Sequence, residues 1–486
     1  MTMFPRRHPA DGVPFNGWRI VRGGFAIQAL HSGLVFNAFA LIAVELRSEF
    51  GWSAGALGAA FALNRAESGL LGPIQGWMTD NWGPRTVLRI GAVIMAIGFV
   101  AFATVDSLTE FYVFYLLVAA GSSLAGFLGI TVAIVNWFER KRSRALALAQ
   151  MGFAVGGAFT FLVGLALHQF GWRMTSALSA LLTLAVILPL SRHFDRRPEE
   201  VHQFVDGIDP ETIDDATPSL PSTVSRVHFT ASEALRTRAF WFISLGHASA
   251  LLVVGASMAH LGLYLEEERG FSTLHTAVVV GMLPAMMGVG QLLGGYLGDH
   301  FDKRVMVTTA MLGHGLGMLL LALASSWMLV WLFVLFHGLA WGVRGPIQSA
   351  MRADYFGATS FGKIMGFSSM IVMLGMVVGP IVAGVLRDRT GDYQLGFVIL
   401  AVVASLGSVW FFLSTPPAQP ERGPRPEPAS AVGPPRPTYV TDLGGVRSDP
   451  GRPSVIPRSR AGRNVTDRGA RPTIPESADG YVGDGG

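Results

Sequence analysis

Long apolar stretches separated by short polar loops set the architecture of this chain. A helix needs about 20 apolar residues to cross the hydrocarbon of a bilayer. Twelve runs reach that length, at approximately 23–46, 54–78, 87–105, 110–136, 144–168, 174–192, 240–264, 275–298, 305–324, 327–350, 364–386 and 395–413. The expected fold class is an all-α membrane protein with twelve transmembrane helices. One connection is much longer than the others. It divides the chain into an N-terminal segment (1–22), a six-helix bundle (23–192), a central loop (193–239), a second six-helix bundle (240–414) and a tail (415–486). Ala38-Phe39-Ala40 mimics a signal-peptidase site. The run around it exceeds the roughly 7–15 residues of a signal core, so it is read as a retained first helix. Thr230-Ala231-Ser232-Glu233 has the spacing of a capping box, which places a short helix before the seventh span. The tail is rich in Pro, Gly and Arg and is expected to be disordered.

Composition agrees with the pattern. Half of the residues are hydrophobic and only 14% are charged, against roughly 25% in soluble domains, and the mean hydropathy is +0.43. There is no cysteine, which excludes disulfides, thiolate metal sites and thiol nucleophiles. The net charge of +4 is too small to imply nucleic acid. The cations are instead sorted by loop. One set of loops carries Arg85, Arg140, Lys141, Arg142, Arg144, Arg192, Arg196, Arg197, Lys303, Arg304, Arg352 and Lys363. The opposite set carries Arg47, Arg173, Arg269, Arg387 and Arg389. Cytoplasmic loops are enriched in Lys and Arg, so both termini, with Arg6 and Arg7 at the first, are expected in the cytoplasm of a cell (inner) membrane protein. The acidic patch Asp206, Asp209, Glu211, Asp214 and Asp215 lies in the central loop. The sequon at Asn464 is then cytoplasmic and silent.

A motif occurs twice. Gly76-Trp77-Met78-Thr79-Asp80-Asn81-Trp82-Gly83-Pro84-Arg85 and Gly295-Tyr296-Leu297-Gly298-Asp299-His300-Phe301-Asp302-Lys303-Arg304 both read G-x-x-x-D-x-x-x-x-R. Each ends an apolar helix, and the two aspartates are 219 residues apart (299 − 80). Such a repeat implies two pseudo-symmetric halves, a plan on which transporters build a site between repeats. The second copy has Asp302 where the first has Gly83.

With its six-plus-six helices, long central loop and doubled motif, the chain over about 15–414 resembles the major facilitator superfamily. Asn136-Trp137-Phe138-Glu139-Arg140-Lys141-Arg142, Glu233 to Trp241, and Tyr264-Leu265 with Gly270-Phe271-Ser272 resemble monocarboxylate and oxalate–formate type porters. The resemblance implies a conformational latch at Gly76, Asp80, Gly83 and Arg85, and at Gly295, Asp299 and Arg304. It also implies that helices 1, 4, 7 and 10, with parts of 2, 5, 8 and 11, line a central cavity, while 3, 6, 9 and 12 face lipid. The carriers named place a substrate-gripping arginine in helix 8; Gln291 stands there in this chain, with Met287 one turn earlier. Gly375 to Pro380 resembles an antiporter motif, in helix 11 rather than helix 5.

Ionisable groups at membrane depth are costly, so they mark cavities or partners. Helix 2 carries Asn64, Arg65 and Glu67, followed by Gly72-Pro73, which should loosen it. Positions two apart point about 200° apart on a helix, so Arg65 and Glu67 cannot share a face. Helix 10 carries His337, Arg344 and Gln348 at a same-face spacing. Helix 1 offers Gln28, His31 and Asn37, and helix 7 offers His247 and His260. Helix 9 has a single polar group of this kind, His314.

Arg344, Arg65, Gln291, Asn37, His31, His260, His337 and Gln348 are the candidate substrate residues, and Glu67 is the candidate proton-coupling carboxylate. Each has an alternative as a hydrogen-bonded packing residue. The expected function is secondary transport of a small organic anion, a carboxylate, by alternating access, with protons as the coupling ion. The expected protein is a monomer without cofactor or metal. A multidrug or apolar-metabolite exporter is the first alternative, and a non-transporting membrane sensor the second. No H-E-x-x-H, G-x-S-x-G or P-loop is present, and no enzyme is expected.

Overall fold

The computed structural model describes residues 14–209 and 227–420. Arg6, Arg7, Glu211, Asp214, Asp215, the Asn464 sequon and residues 421–486 of the tail lie outside the described residues. Among those described, ten helices are long and apolar enough to cross a membrane. The chain nevertheless crosses twelve times. The helix Arg142–Ser191 is two spans parted at Gly171, whose φ of +72° ends one and starts the other. Ala54–Leu70 and Gly72–Trp82 are two pieces of one span, too short separately. Pro73 has no N–H to donate, and the break falls where Gly72-Pro73 predicts it.

In chain order the spans are the first (Gly17–Phe50), the second (Ala54–Leu70 continued by Gly72–Trp82), the third (Pro84–Phe102) and the fourth (Leu108–Trp137). The fifth and sixth lie within Arg142–Ser191. The seventh (Arg238–Glu268), eighth (Thr273–His300), ninth (Lys303–Ala322), tenth (Trp327–Phe356), eleventh (Phe361–Thr390) and twelfth (Gln394–Leu413) follow. The first helix starts at Gly17, ahead of the apolar run, because Gly17, Ile20 and Val21 are already buried. Caps fix several entries into helices. Ser107 and Glu110 form a reciprocal capping box before the fourth span, and Thr230 and Glu233 form another before the short helix Ala231–Leu235. Both satisfy helix N–H groups that have no intrahelical acceptor.

The first and fourth spans, like the second, are irregular beside the central cavity. The first contains a π-helical stretch, Ser32–Asn37, where the Asn37 amide donates to the Ser32 carbonyl (2.8 Å) and hydroxyl (2.9 Å). The fourth is interrupted between Leu108–Leu124 and Phe127–Trp137. π-bulges commonly mark functional positions.

Each half has its own apolar core. The first runs from Ile20 to Phe194 with Ala350 added, and the second from Phe229 to Phe411. The third, sixth, ninth and twelfth spans turn apolar stripes outward, such as Val93, Ile97 and Val100, or Leu312, Leu316 and Leu319. That distribution suits a lipid-facing surface. Across the seam the eighth span packs on the fifth and the eleventh on the second. Within the second half, the eighth and tenth spans meet at Gly290 and Gly342, where a Cβ on Gly342 would overlap the Met287 carbonyl. Small residues let membrane helices approach backbone to backbone. Gly342→Val is therefore expected to cost about 1–3 kcal/mol or more by overpacking. The check is a tryptophan-fluorescence melt in detergent, which should shift down by several degrees; an unchanged midpoint would refute the tight crossing.

Candidate functional site

The doubled motif bridges the seam at the end of the bundle that carries the basic loops. Asp80 accepts hydrogen bonds from the backbone N–H of Gly362 and Lys363, both at 2.9 Å. These are the second and third residues of the eleventh helix, where free N–H groups and the helix dipole favour an anion. Asp299 does the same to the fifth helix, accepting from Ser143 N–H at 2.8 Å and Arg144 N–H at 3.3 Å. Gly362 lies as far after Ser143 as Asp299 lies after Asp80 (362 − 143 = 219), so the two contacts are related by the repeat. Gly76 permits the first, because a Cβ there would overlap the Gly362 carbonyl. A Cβ on Gly295 would likewise crowd Ala147 and Arg144.

The motif arginines do something else. Arg85 pairs with Asp195 and the Arg192 carbonyl inside its own half. Burial raises the Asp195 carboxyl above the usual carboxylate range, and Arg85 opposes that shift. Arg304 lies over the Phe412 ring at 5.9 Å. Gly83 has a φ of +82°, which suits glycine, and stands beside Arg196, whose guanidinium donates to the Asp80 carbonyl. Arg142 and Lys303 both pair with Asp354, tying the fifth, ninth and tenth spans. Beside these polar ties, Leu128, Val132 and Val135 of the fourth span pack on Ala353, Phe361 and Met365 of the tenth and eleventh.

A cavity of about 340 Å³ lies between the halves, a size suited to a small molecule. All of its lining comes from the first, second, fourth, fifth, seventh, eighth, tenth and eleventh spans. Arg65 and Arg344 line it, and no Asp or Glu among the described residues does. Arg65 stacks its guanidinium on Phe36, 4.5 Å from the ring centroid. Two positions on, Glu67 turns the other way. It accepts from Ser68 and Ser123 Oγ, both at 3.2 Å, and its Oε1 has no hydrogen-bond partner among the described residues. The helical divergence of the two is as the spacing requires.

Arg344 is 1% exposed. Its Nη1 donates to Gln348 Oε1 at 2.9 Å, and its Nε points at His314 Nε2 at 3.5 Å. Arginine only donates, which orders the rest of the chain. His314 accepts at Nε2 and so carries its hydrogen on Nδ1, toward His337 Nδ1 at 3.3 Å. Gln348 accepts at Oε1, so its amide nitrogen donates to His247 Nε2 at 2.9 Å. The far side of His247 meets Arg352 Nη2 at 3.2 Å, and Arg352 also donates to Ser368 Oγ at 3.0 Å. Two arginines thus sit in one buried polar cluster with no carboxylate paired to either among the described residues.

The structure sorts the candidates. His31, Arg65, Gln291, Arg344 and Gln348 line the cavity together. His31 Nε2 and Gln291 Oε1 are buried without a hydrogen-bond partner among the described residues. Asn37, His260 and His337 do not line it. Asn37 ties down the π-helical turn. His260 bonds the Pro380 carbonyl at 2.9 Å and the Tyr393 hydroxyl at 3.0 Å. His337 is wholly buried behind His314. Arg352 is another correction: counted with the loop cations, it lies inside the tenth helix and is 1% exposed. His314 and Arg352 both belong to the arginine cluster. Their signals in the sequence are an isolated polar residue in an apolar span and a position four after Gln348.

The chain as a whole is similar to known proteins. The family model of the Major Facilitator Superfamily matches residues 25–290 and 279–457. The chain is 27% identical over 444 residues to human monocarboxylate transporter 11, covering 87% of each chain. It is 22% identical over 398 residues to the hexuronate transporter of Bacillus subtilis (strain 168), covering 77% of this chain and 90% of that one. The crystal structure of the human organic anion transporter MFSD10 superposes with a TM-score of 0.64 at 17% identity, covering 81% of this chain and 99% of that one. The chain belongs to the major facilitator superfamily and is a multi-pass membrane transporter rather than an enzyme.

Proposed function

We propose that this transporter moves a small organic anion bearing a carboxylate, using Arg344 as its anchor. The observation that carries the reading is a buried arginine at the cavity wall whose charge meets no acid among the described residues. Burying an unpaired cation costs at least several kcal/mol, and a bound carboxylate relieves that cost through charge-assisted hydrogen bonds. The relatives named for monocarboxylates and a hexuronate support the same chemistry. Met258, Met287, Met365, Met373 and Met376 line the cavity and offer adaptable apolar surface to the body of the anion. His31, Gln291 and Gln348 supply further polar contacts.

Alternating access follows from the repeat, with the latch at Asp80 and Asp299 holding one state. The excess of cations at the basic-loop end supports a cytoplasmic location for that end and for both termini in a cell membrane, and the latch is then assigned to the outward-facing state. The protein works as a monomer in the bilayer, with no nucleic acid or cofactor.

Uptake into proteoliposomes tests the reading, with a panel of monocarboxylates and dicarboxylates under an imposed pH gradient. Movement of none of them defeats it. Proton coupling is assigned to Glu67, which sits behind Ser68 and Ser123 at the cavity edge, within the half that contributes Arg65. Glu67→Gln is expected to abolish pH-driven accumulation while leaving exchange of labelled for unlabelled anion near wild type. Full accumulation by that variant would remove Glu67 from the coupling step.

A further inference from the structure

We infer that Arg352 is a second anion station on the translocation path, uncovered when the basic-loop end opens. The inference rests on the organic-anion reading and extends it along the path. Residues three or four apart lie on one helix face, so Trp341, Gly345, Gln348 and Arg352 form one row on the tenth span. The first three line the cavity. Arg352 continues the row one turn farther toward the closed end, about 6 Å beyond Gln348 at the helical rise. What separates it from the cavity is the Gln348–His247 pair, and it touches His247 itself.

The Arg352 guanidinium is short of acceptors. With Gln348 donating to His247 Nε2, a neutral His247 carries its hydrogen on Nδ1, so Arg352 Nη2 faces a donor there. Ser368 Oγ is left as the acceptor for Nη2, and Nη1 has no hydrogen-bond partner among the described residues. A buried cation with idle donors is what an oxyanion would satisfy. Its surroundings are also those that must move. Ala353 is the next residue and Met365 lies three before Ser368, and both belong to the apolar seal between the halves. Parting that seal exposes the ground in front of Arg352. A carboxylate or sulfonate leaving Arg344 then meets a second cation two turns down the same helix.

The absence of cysteine makes a test independent of the substrate's identity. Ser368→Cys places one thiol beside Arg352. Its labelling rate is measured in vesicles from the basic-loop face with two membrane-impermeant methanethiosulfonates, the anionic sulfonatoethyl and the cationic trimethylammonioethyl reagent. Any effect of Arg352 on thiol ionisation changes both rates alike, so the ratio is the readout. The anionic reagent is expected to react about tenfold faster or more. The preference should vanish in Arg352→Gln and persist in Arg352→Lys, which guards against misfolding. Asp80→Asn should speed both reagents by opening the seal. Two results overturn the station: no labelling from that face even with Asp80→Asn, which leaves Arg352 as a structural tie, or an unchanged ratio in Arg352→Gln. An empty uptake panel would defeat the carboxylate reading without altering these rates, so the two failures are distinguishable.

Discussion

Arg344→Gln is expected to lower anion uptake by about 10- to 100-fold in kcat/KM, the range set by losing one charge-assisted hydrogen bond of about 1.5–3 kcal/mol. Arg344 lines the cavity and is almost wholly buried, so its attraction for an anion is little screened by water. Glutamine keeps some hydrogen-bonding capacity but not the charge, and the loss should fall mainly on KM. Lysine should rescue only part of the activity, because a single ammonium cannot bond Gln348, His314 and a carboxylate with the planar fork of arginine. Initial rates over a concentration series in proteoliposomes decide the matter. Uptake within about twofold of wild type would make Arg344 a structural tie of the tenth span.

The second large effect is expected at the seam. Asp80→Asn removes a negative charge from the start of the eleventh helix and halves the acceptor set that holds Gly362 and Lys363. Charges at helix N-termini contribute about 0.3–2 kcal/mol, so the closed-to-open ratio should fall by up to about 30-fold. Asp299→Asn should act similarly on the fifth helix, and the double variant should sum the two because they share no partner. Spin labels placed across the basic-loop end measure the opening as a longer distance population. Transport should weaken with protein levels near wild type, since neither aspartate belongs to an apolar core. A distance distribution and an uptake rate that both stay unchanged would show that the motif sets topology alone.

The motif also shows how far one sequence reaches. Repetition at a fixed offset announced two related halves, and the glycine four before each aspartate announced close packing. The partners were not legible. Asp80 and Asp299 bind backbone N–H groups of Gly362, Lys363, Ser143 and Arg144, and backbone donors leave no mark in residue identity. Arg85, a natural partner for Asp80 by charge, goes to Asp195 instead. The polar residues of the spans divide the same way. Their rarity in apolar runs marked Arg65, Glu67, His31, Gln291, Arg344 and Gln348, and five of these six line the cavity. Asn37, His260 and His337 carried the same signal and were spent on local bonds, because a buried polar group needs a partner whether or not it serves a substrate.

The sequence by itself determined the membrane class, the twelve crossings, the doubled architecture and the sorting of cations to one end. These follow from hydrophobic length, periodicity and charge, which act residue by residue along the chain. Tertiary structure alone decided which polar groups share one cavity, which half each motif aspartate grips, and that Arg352 and His314 join Arg344 in a cluster without acid. Those outcomes depend on which helix faces meet across distances of a hundred residues or more, and no local pattern records that.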